Sequence, residues 1–179
     1  SVFKWFFFAV IIGILVGAST TFFLFCLDQT TRWVQSTSSY YYIFLPLAFL
    51  ASVFLIRWFA PDAEGHGTEK VIEAVHKRFG KMKFAVVPVK LIPPVITIAF
   101  GGSVGKEGPC AQIGAGLASK FVQLARFQLG DYKKLVICGI SAGFATVFGT
   151  PIAGAIFGVE VLFLGRILYD VLLPSFVAG

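Results

Sequence analysis

The stretch Gly101-Gly102-Ser103-Val104-Gly105-Lys106-Glu107-Gly108-Pro109 decides how this chain is read. It is a glycine-rich break in the middle of apolar sequence, and Pro109 is suited to the first turn of a helix that starts there. Deep in apolar surroundings, an ionisable side chain such as Glu107 costs several kcal/mol unless it faces water, a partner or an ion path. The break therefore predicts a functional carboxylate at the end of a helix that does not cross the whole apolar layer.

The rest of the chain supplies that layer. Of 179 residues, 57% are apolar and only 13% charged, 21 are Phe, and the mean hydropathy is +0.85. A soluble domain carries charge on roughly a quarter of its positions, so the surface is built for lipid. The net charge of +6 raises the question of nucleic acid, but six of the fifteen basic residues fall within 70–90, around apolar segments. That pattern fits loops kept on the cytoplasmic face by the positive-inside rule, and no nucleic-acid partner is expected. Cys26, Cys110 and Cys138 have neither zinc nor disulfide spacing, and His66 and His76 lack further ligands, so no metal or cofactor is expected. With no nucleophile–base arrangement in view, the chain does not read as an enzyme.

Working outward from the break, spans are expected at 2–27, 40–60, 84–100, 109–127, 135–148 and 151–166, with a short amphipathic helix at 69–79 and a further apolar segment after Arg166. The run 2–27 is longer than the apolar core of a signal peptide, and Gly13 and Gly17 offer a flat face to a neighbouring helix. The polar stretch 28–39 reads as a connection, and Tyr40, Tyr41 and Tyr42 suit the interfacial aromatic belt. Pro88, Pro93 and Pro94 predict a kinked segment, while Gly114, Ala115, Gly116, Ala118 and Ser119 suit close helix contact. Several pieces are too short to cross a bilayer alone. The fold class is an all-α integral membrane protein of tilted and broken helices, whose ends meet near mid-membrane.

At such a meeting point the backbone N–H groups of Gly105, Lys106, Gly108 and Pro109's helix face outward with the positive end of the helix dipole, which favours an anion. A carboxylate there competes with the anion: a deprotonated Glu107 occupies its place, and protonation or displacement releases it. This makes Glu107 a candidate gate and proton acceptor; the plainer alternative is a glutamate satisfied by helix N–H groups. The second break, Gly65-His66-Gly67-Thr68, also precedes a helix and offers N–H groups, the Thr68 hydroxyl and the His66 ring, or else a simple cap in a cytoplasmic loop. Glu160, flanked by Val159 and Val161, is a third acid in apolar sequence, serving a proton path or bonding a neighbouring loop.

These residues resemble the CLC family of chloride channels and proton-coupled anion transporters. Its G-K/R-E-G-P motif, which carries the gating glutamate, is matched at every position by Gly105-Lys106-Glu107-Gly108-Pro109, followed by Gln112-Ile113-Gly114. Residues 61–69 look like the family's G-S-G-I-P segment, with His66 where the anion-coordinating serine stands and Thr68-Glu69 in place of Ile-Pro. Residues 141–145 and 149–154, leading to Phe157-Gly158-Val159-Glu160, are similar to the run into the internal glutamates. Glu160 matches the first of them, and Val161 takes the place of the second, proton-transferring one.

The resemblance implies transmembrane transport of an anion, chloride first, by a voltage- or pH-gated channel or a proton-coupled exchanger. It covers nearly the whole chain, yet the family's membrane domain is about twice as long and contains two inverted repeats. Residues 1–179 are thus expected to form the N-terminal half, one repeat, with the G-x-F-x-P motif and pore tyrosine in the other. The implied partners are the lipid bilayer, the missing C-terminal half and a second copy in a homodimer, in a multi-pass plasma-membrane protein. The alternative is a non-conducting half-transporter or assembly fragment.

Overall fold

A computed structural model describes residues 2–37, 39–162 and 169–179. The described residues contain helices and no strands. In chain order these are α1 (Val2–Thr37), α2 (Leu45–Phe59), α3 (Gly67–Lys77), α4 (Val86–Ala99), α5 (Glu107–Leu124), α6 (Leu129–Phe148), α7 (Pro151–Glu160) and α8 (Tyr169–Ala178). Short 3-10 turns at Tyr41–Phe44 and Pro61–Ala63 lead into α2 and out of it.

The first departure from the sequence reading is α1, which runs on through the polar stretch taken for a connection. No Gly or Pro interrupts residues 18–37, and an Arg32–Asp28 pair at 2.9 Å bridges one turn of the extension. The Ser36 and Thr37 hydroxyls donate back to the Trp33 carbonyl. With 36 residues the helix is a rod of about 54 Å, far longer than the roughly 30 Å hydrocarbon layer, so it crosses tilted or projects beyond it. Gly13 does provide a contact face, since a β-carbon there would meet the Ala178 backbone of α8, whereas Gly17 faces open space.

The centre is α6. Leu135, Val136, Ile137, Cys138, Ile140, Ser141 and Phe144 are all fully buried, and α6 packs on α1, α5, α7 and α8. Its crossings use small residues: a β-carbon on Gly114 of α5 would overlap the Gly139 carbonyl of α6, and one on Gly158 of α7 would crowd Ser141. α6 begins at Leu129, six residues before the expected start, and ends at left-handed Gly149 (φ 66°) before Pro151 opens α7, at the expected break. α1 and α2 form the outer wall, with Ile14, Phe22, Leu50, Phe54 and Trp58 exposed, as a lipid-facing surface requires.

The expected amphipathic helix and the 84–100 span correspond to α3 and α4, each within two residues at either end. Residues 163–166 of the last expected span lie outside the described residues.

Candidate functional site

The two glycine breaks meet. α3 begins at Gly67 and α5 at Glu107, and the helices pack side by side with their first turns together. A β-carbon on Gly67 would overlap the Gly108 carbonyl, and one on Gly108 would come within 3.2 Å of the Gly67 nitrogen. Glycine at 67 is what lets the backbones approach this closely, and at 108 a side chain would be tight. Two positive helix ends, which would repel one another in isolation, are thus placed side by side, and a shared anion would relieve that repulsion.

Beside them lies a cleft of roughly 640 Å³ lined by Gly65, His66, Gly67, Thr68, Ser103, Gly105, Glu107, Gly108 and Pro109, together with Ser52 of α2 and Lys90, Pro93, Pro94 and Thr97 of α4. Residues 42 positions apart in sequence, Gly65 and Glu107, therefore share one wall. Glu107 is half-buried and its carboxylate folds back over Gly105, whose missing side chain leaves the room for it. Among the described residues it has neither a hydrogen bond nor an ion pair.

Lys90 was not singled out in the sequence, where it counted among the basic residues of cytoplasmic loops. It instead lies inside α4, only 6% exposed, and its Nζ donates to the Gly65 carbonyl at 3.3 Å. No acid pairs with it among the described residues. A buried cation without an anion is costly, and the cleft it faces is where an anion would offset that cost. The signal was present: Lys90 is the one charge in the apolar run 84–100.

Pro93 and Pro94 interrupt the hydrogen bonding of α4 beside the cleft. Without N–H groups they leave the carbonyls of Val89 and Lys90 without their helical donors. One turn on, Ser52 Oγ of α2 donates to the Pro93 carbonyl at 3.3 Å and lies 3.0 Å from Thr97 Oγ1. The Ser52 and Thr97 hydroxyls, like that of Ser103, carry no sequence motif and were not anticipated.

Of the expected site residues, His66 lines the cleft, whereas Lys106 and Glu160 do not. His66 caps α3 and is exposed, with no side-chain bond to the helix it precedes. Lys106 caps α5 but is exposed and does not line the cleft. Glu160 is not buried: it ends α7 exposed, because its buried neighbours Val159 and Gly158 point the opposite face toward α6. It does not line the cleft. No group of three or more His, Cys, Asp or Glu able to hold a metal occurs among the described residues.

Residues 48–179 match the family described as Voltage gated chloride channel. The chain is 37% identical over 176 residues to the chloride/fluoride channel protein of Pseudomonas syringae pv. tomato, covering 98% of this chain and 38% of that protein. It is 30% identical over 170 residues to the H(+)/Cl(-) exchange transporter ClcA of Salmonella typhi, covering 86% and 35%. Among solved structures, a CLC-type fluoride/proton antiporter superposes with a TM-score of 0.88 at 28% identity, covering 99% of this chain and 44% of that one. A slow cyanobacterial Cl−/H+ antiporter superposes with a TM-score of 0.78 at 22% identity, covering 98% and 44%, a likeness of fold. The chain spans less than half the length of each of these relatives.

Proposed function

Because the chain belongs to the CLC family of voltage-gated chloride channels, we propose that it is the N-terminal repeat of an anion pathway, with Glu107 as the gate. The observation that carries this reading is the meeting of the α3 and α5 N-termini at Gly67 and Gly108, beside a carboxylate that has no partner among the described residues. The anion is a small halide, chloride or fluoride, the ions named for the relatives.

In this reading the halide gives up part of its water shell to the N–H groups of the two helix ends, to hydroxyls of the cleft and to the field of Lys90. Glu107, when ionised, takes the halide's place at the α5 end; when protonated it swings clear. Proton uptake thus opens the path, and flux rises as pH falls. Val161, in the place of an inner acid, leaves little means of relaying that proton across, so proton coupling is weak. Glu160 is the remaining acid on α7 for any such relay. The second repeat closes the pathway, and the complete protein works as a homodimer in the plasma membrane.

The test is halide flux from liposomes containing the full-length protein, measured with chloride and with fluoride at acidic and at neutral pH. Glu107→Gln is expected to abolish the pH dependence and change flux at neutral pH by about tenfold, the ratio for about 1.4 kcal/mol. An unchanged flux and pH profile would remove Glu107 from the gate. A halide gradient is expected to drive little proton movement; strong uphill proton transport would overturn the role given to Val161.

A further inference from the structure

We infer that the turn between α3 and α4 is a binding site for the phosphate of an anionic phospholipid. This goes beyond the anion pathway, because it concerns the other end of α3. Lys77, Arg78, Lys81 and Lys83 fall within seven residues there, and a small pocket is lined by Lys70, Arg78, Lys81 and Lys83 with Asp62 and Glu73.

The cations are not equivalent. Lys83 Nζ pairs with Asp62 at 2.8 Å, and Lys77 with Glu73 at 3.4 Å, with Lys70 at 4.0 Å from the same carboxylate. The bond from Lys83 holds the Asp62 carboxyl below its ordinary range, so that pair stays charged and occupied at neutral pH. Arg78 and Lys81 are exposed and form no ion pair among the described residues; the Arg78 charge acts on Asp62 only from a distance, behind the direct bond from Lys83. Two donors, one of them a guanidinium whose planar fork suits phosphate, are left facing one pocket.

The surroundings favour a phosphate carried on a lipid over a free one. Phe79, between the basic residues, is held in the left-handed region (φ 54°) with its ring 56% exposed. That conformation is unfavourable for a residue with a side chain, and here it turns an aromatic ring outward. Phe84 is exposed next along the chain, and Trp58 and Phe59 are exposed at the end of α2, a few residues before Asp62. Aromatic rings beside cations at the end of membrane helices are the composition of the headgroup layer. The turn is also held in shape: Gly80 N donates to the Ala74 carbonyl at 2.8 Å, and Met82 N to Ser119 Oγ of α5 at 2.9 Å. A rigid basic turn flanked by rings fits one headgroup and the first part of its acyl chains.

The full-length protein in detergent is titrated with phosphatidylglycerol, with phosphatidylcholine of the same chains and with inorganic phosphate, and bound molecules are counted by native mass spectrometry. Phosphatidylglycerol is expected to be retained at least about tenfold more strongly than phosphatidylcholine, and inorganic phosphate not to displace it. Arg78→Gln with Lys81→Gln is expected to weaken that retention by about tenfold. Lys4→Gln with Arg126→Gln, exposed cations at the start of α1 and in the α5–α6 turn, is expected to leave it. Phe79→Gly relieves the left-handed strain, so it raises the unfolding temperature while weakening lipid retention. Equal retention by the Arg78/Lys81 variant, equal loss in the Lys4/Arg126 control, or displacement by inorganic phosphate would each overturn the site.

Discussion

At the residue scale, the proposed site is an arrangement of two charges of opposite sign that do not neutralise each other. Lys90 donates to the Gly65 carbonyl and Glu107 lies over Gly105, both on the wall of one cleft. Were they directly paired, the cleft would be electrically closed; held apart, they leave room for a mobile anion between fixed charge and movable charge. Lys90→Met in the full-length protein is therefore expected to weaken apparent halide affinity by about tenfold, with folding stability unchanged or raised, since a buried unpaired cation is removed. Lys90→Arg keeps the charge and should retain most of the affinity. Halide titration by calorimetry together with thermal unfolding checks both, and unchanged affinity in Lys90→Met would show Lys90 to be a structural bond to Gly65. Glu107 could be read from sequence because an acid in apolar sequence has few structural excuses. Lys90 obeyed the same rule and was missed because other lysines nearby in sequence do belong to a cytoplasmic turn.

At the scale of elements, glycine decides where helices touch. The α5–α6 crossing sets Gly114 against Gly139, each with the other's carbonyl where a β-carbon would go. Gly17 of α1, in the same kind of sequence, meets nothing within 4 Å. Gly114→Ala is thus expected to destabilise by about 1–3 kcal/mol through overpacking against backbone that cannot yield, while Gly17→Ala is neutral or slightly stabilising through helix propensity. Unfolding temperatures in detergent would separate them, and equal effects at both positions would contradict the assigned crossing. The small-residue character of α5 was legible in the sequence. Which glycine met which helix was not, because that depends on the rotation and register of two rods, and composition is nearly silent on both. The same holds for α1, whose polar extension looked like a loop until its i,i+4 ion pair and its back-bonding hydroxyls were seen.

At the scale of the whole molecule, the basic turns gather at one end. Met82 of the α3–α4 turn bonds Ser119 of α5, Ser119 bonds Tyr132 of α6, and Lys4 of α1 stands 5.0 Å over the Phe127 ring of the α5–α6 turn. The opposite end holds the aromatic cluster, with Phe44 against Phe100 and Tyr41 against Tyr42. The positive-inside rule predicts that the first end is cytoplasmic. In a background with Cys26, Cys110 and Cys138 replaced, Lys81→Cys and Arg126→Cys are expected to react with a membrane-impermeant maleimide only from the cytoplasmic side, and Tyr42→Cys only from the other. Labelling of both ends from one side would reject this orientation. The sequence by itself determined that the chain is an all-helical membrane protein with broken helices, its family, and Glu107 as the candidate gate, because hydropathy, breaks and an acid within apolar sequence are local properties. Only the tertiary structure decided that Gly67 and Gly108 touch, that Lys90, Ser52 and Thr97 join the cleft, and that Glu160 and the Lys106 side chain stand outside it. The physical reason is that a cleft between helices is made of close approaches over long sequence separations, and those are set by how rods pack rather than by what any one segment prefers.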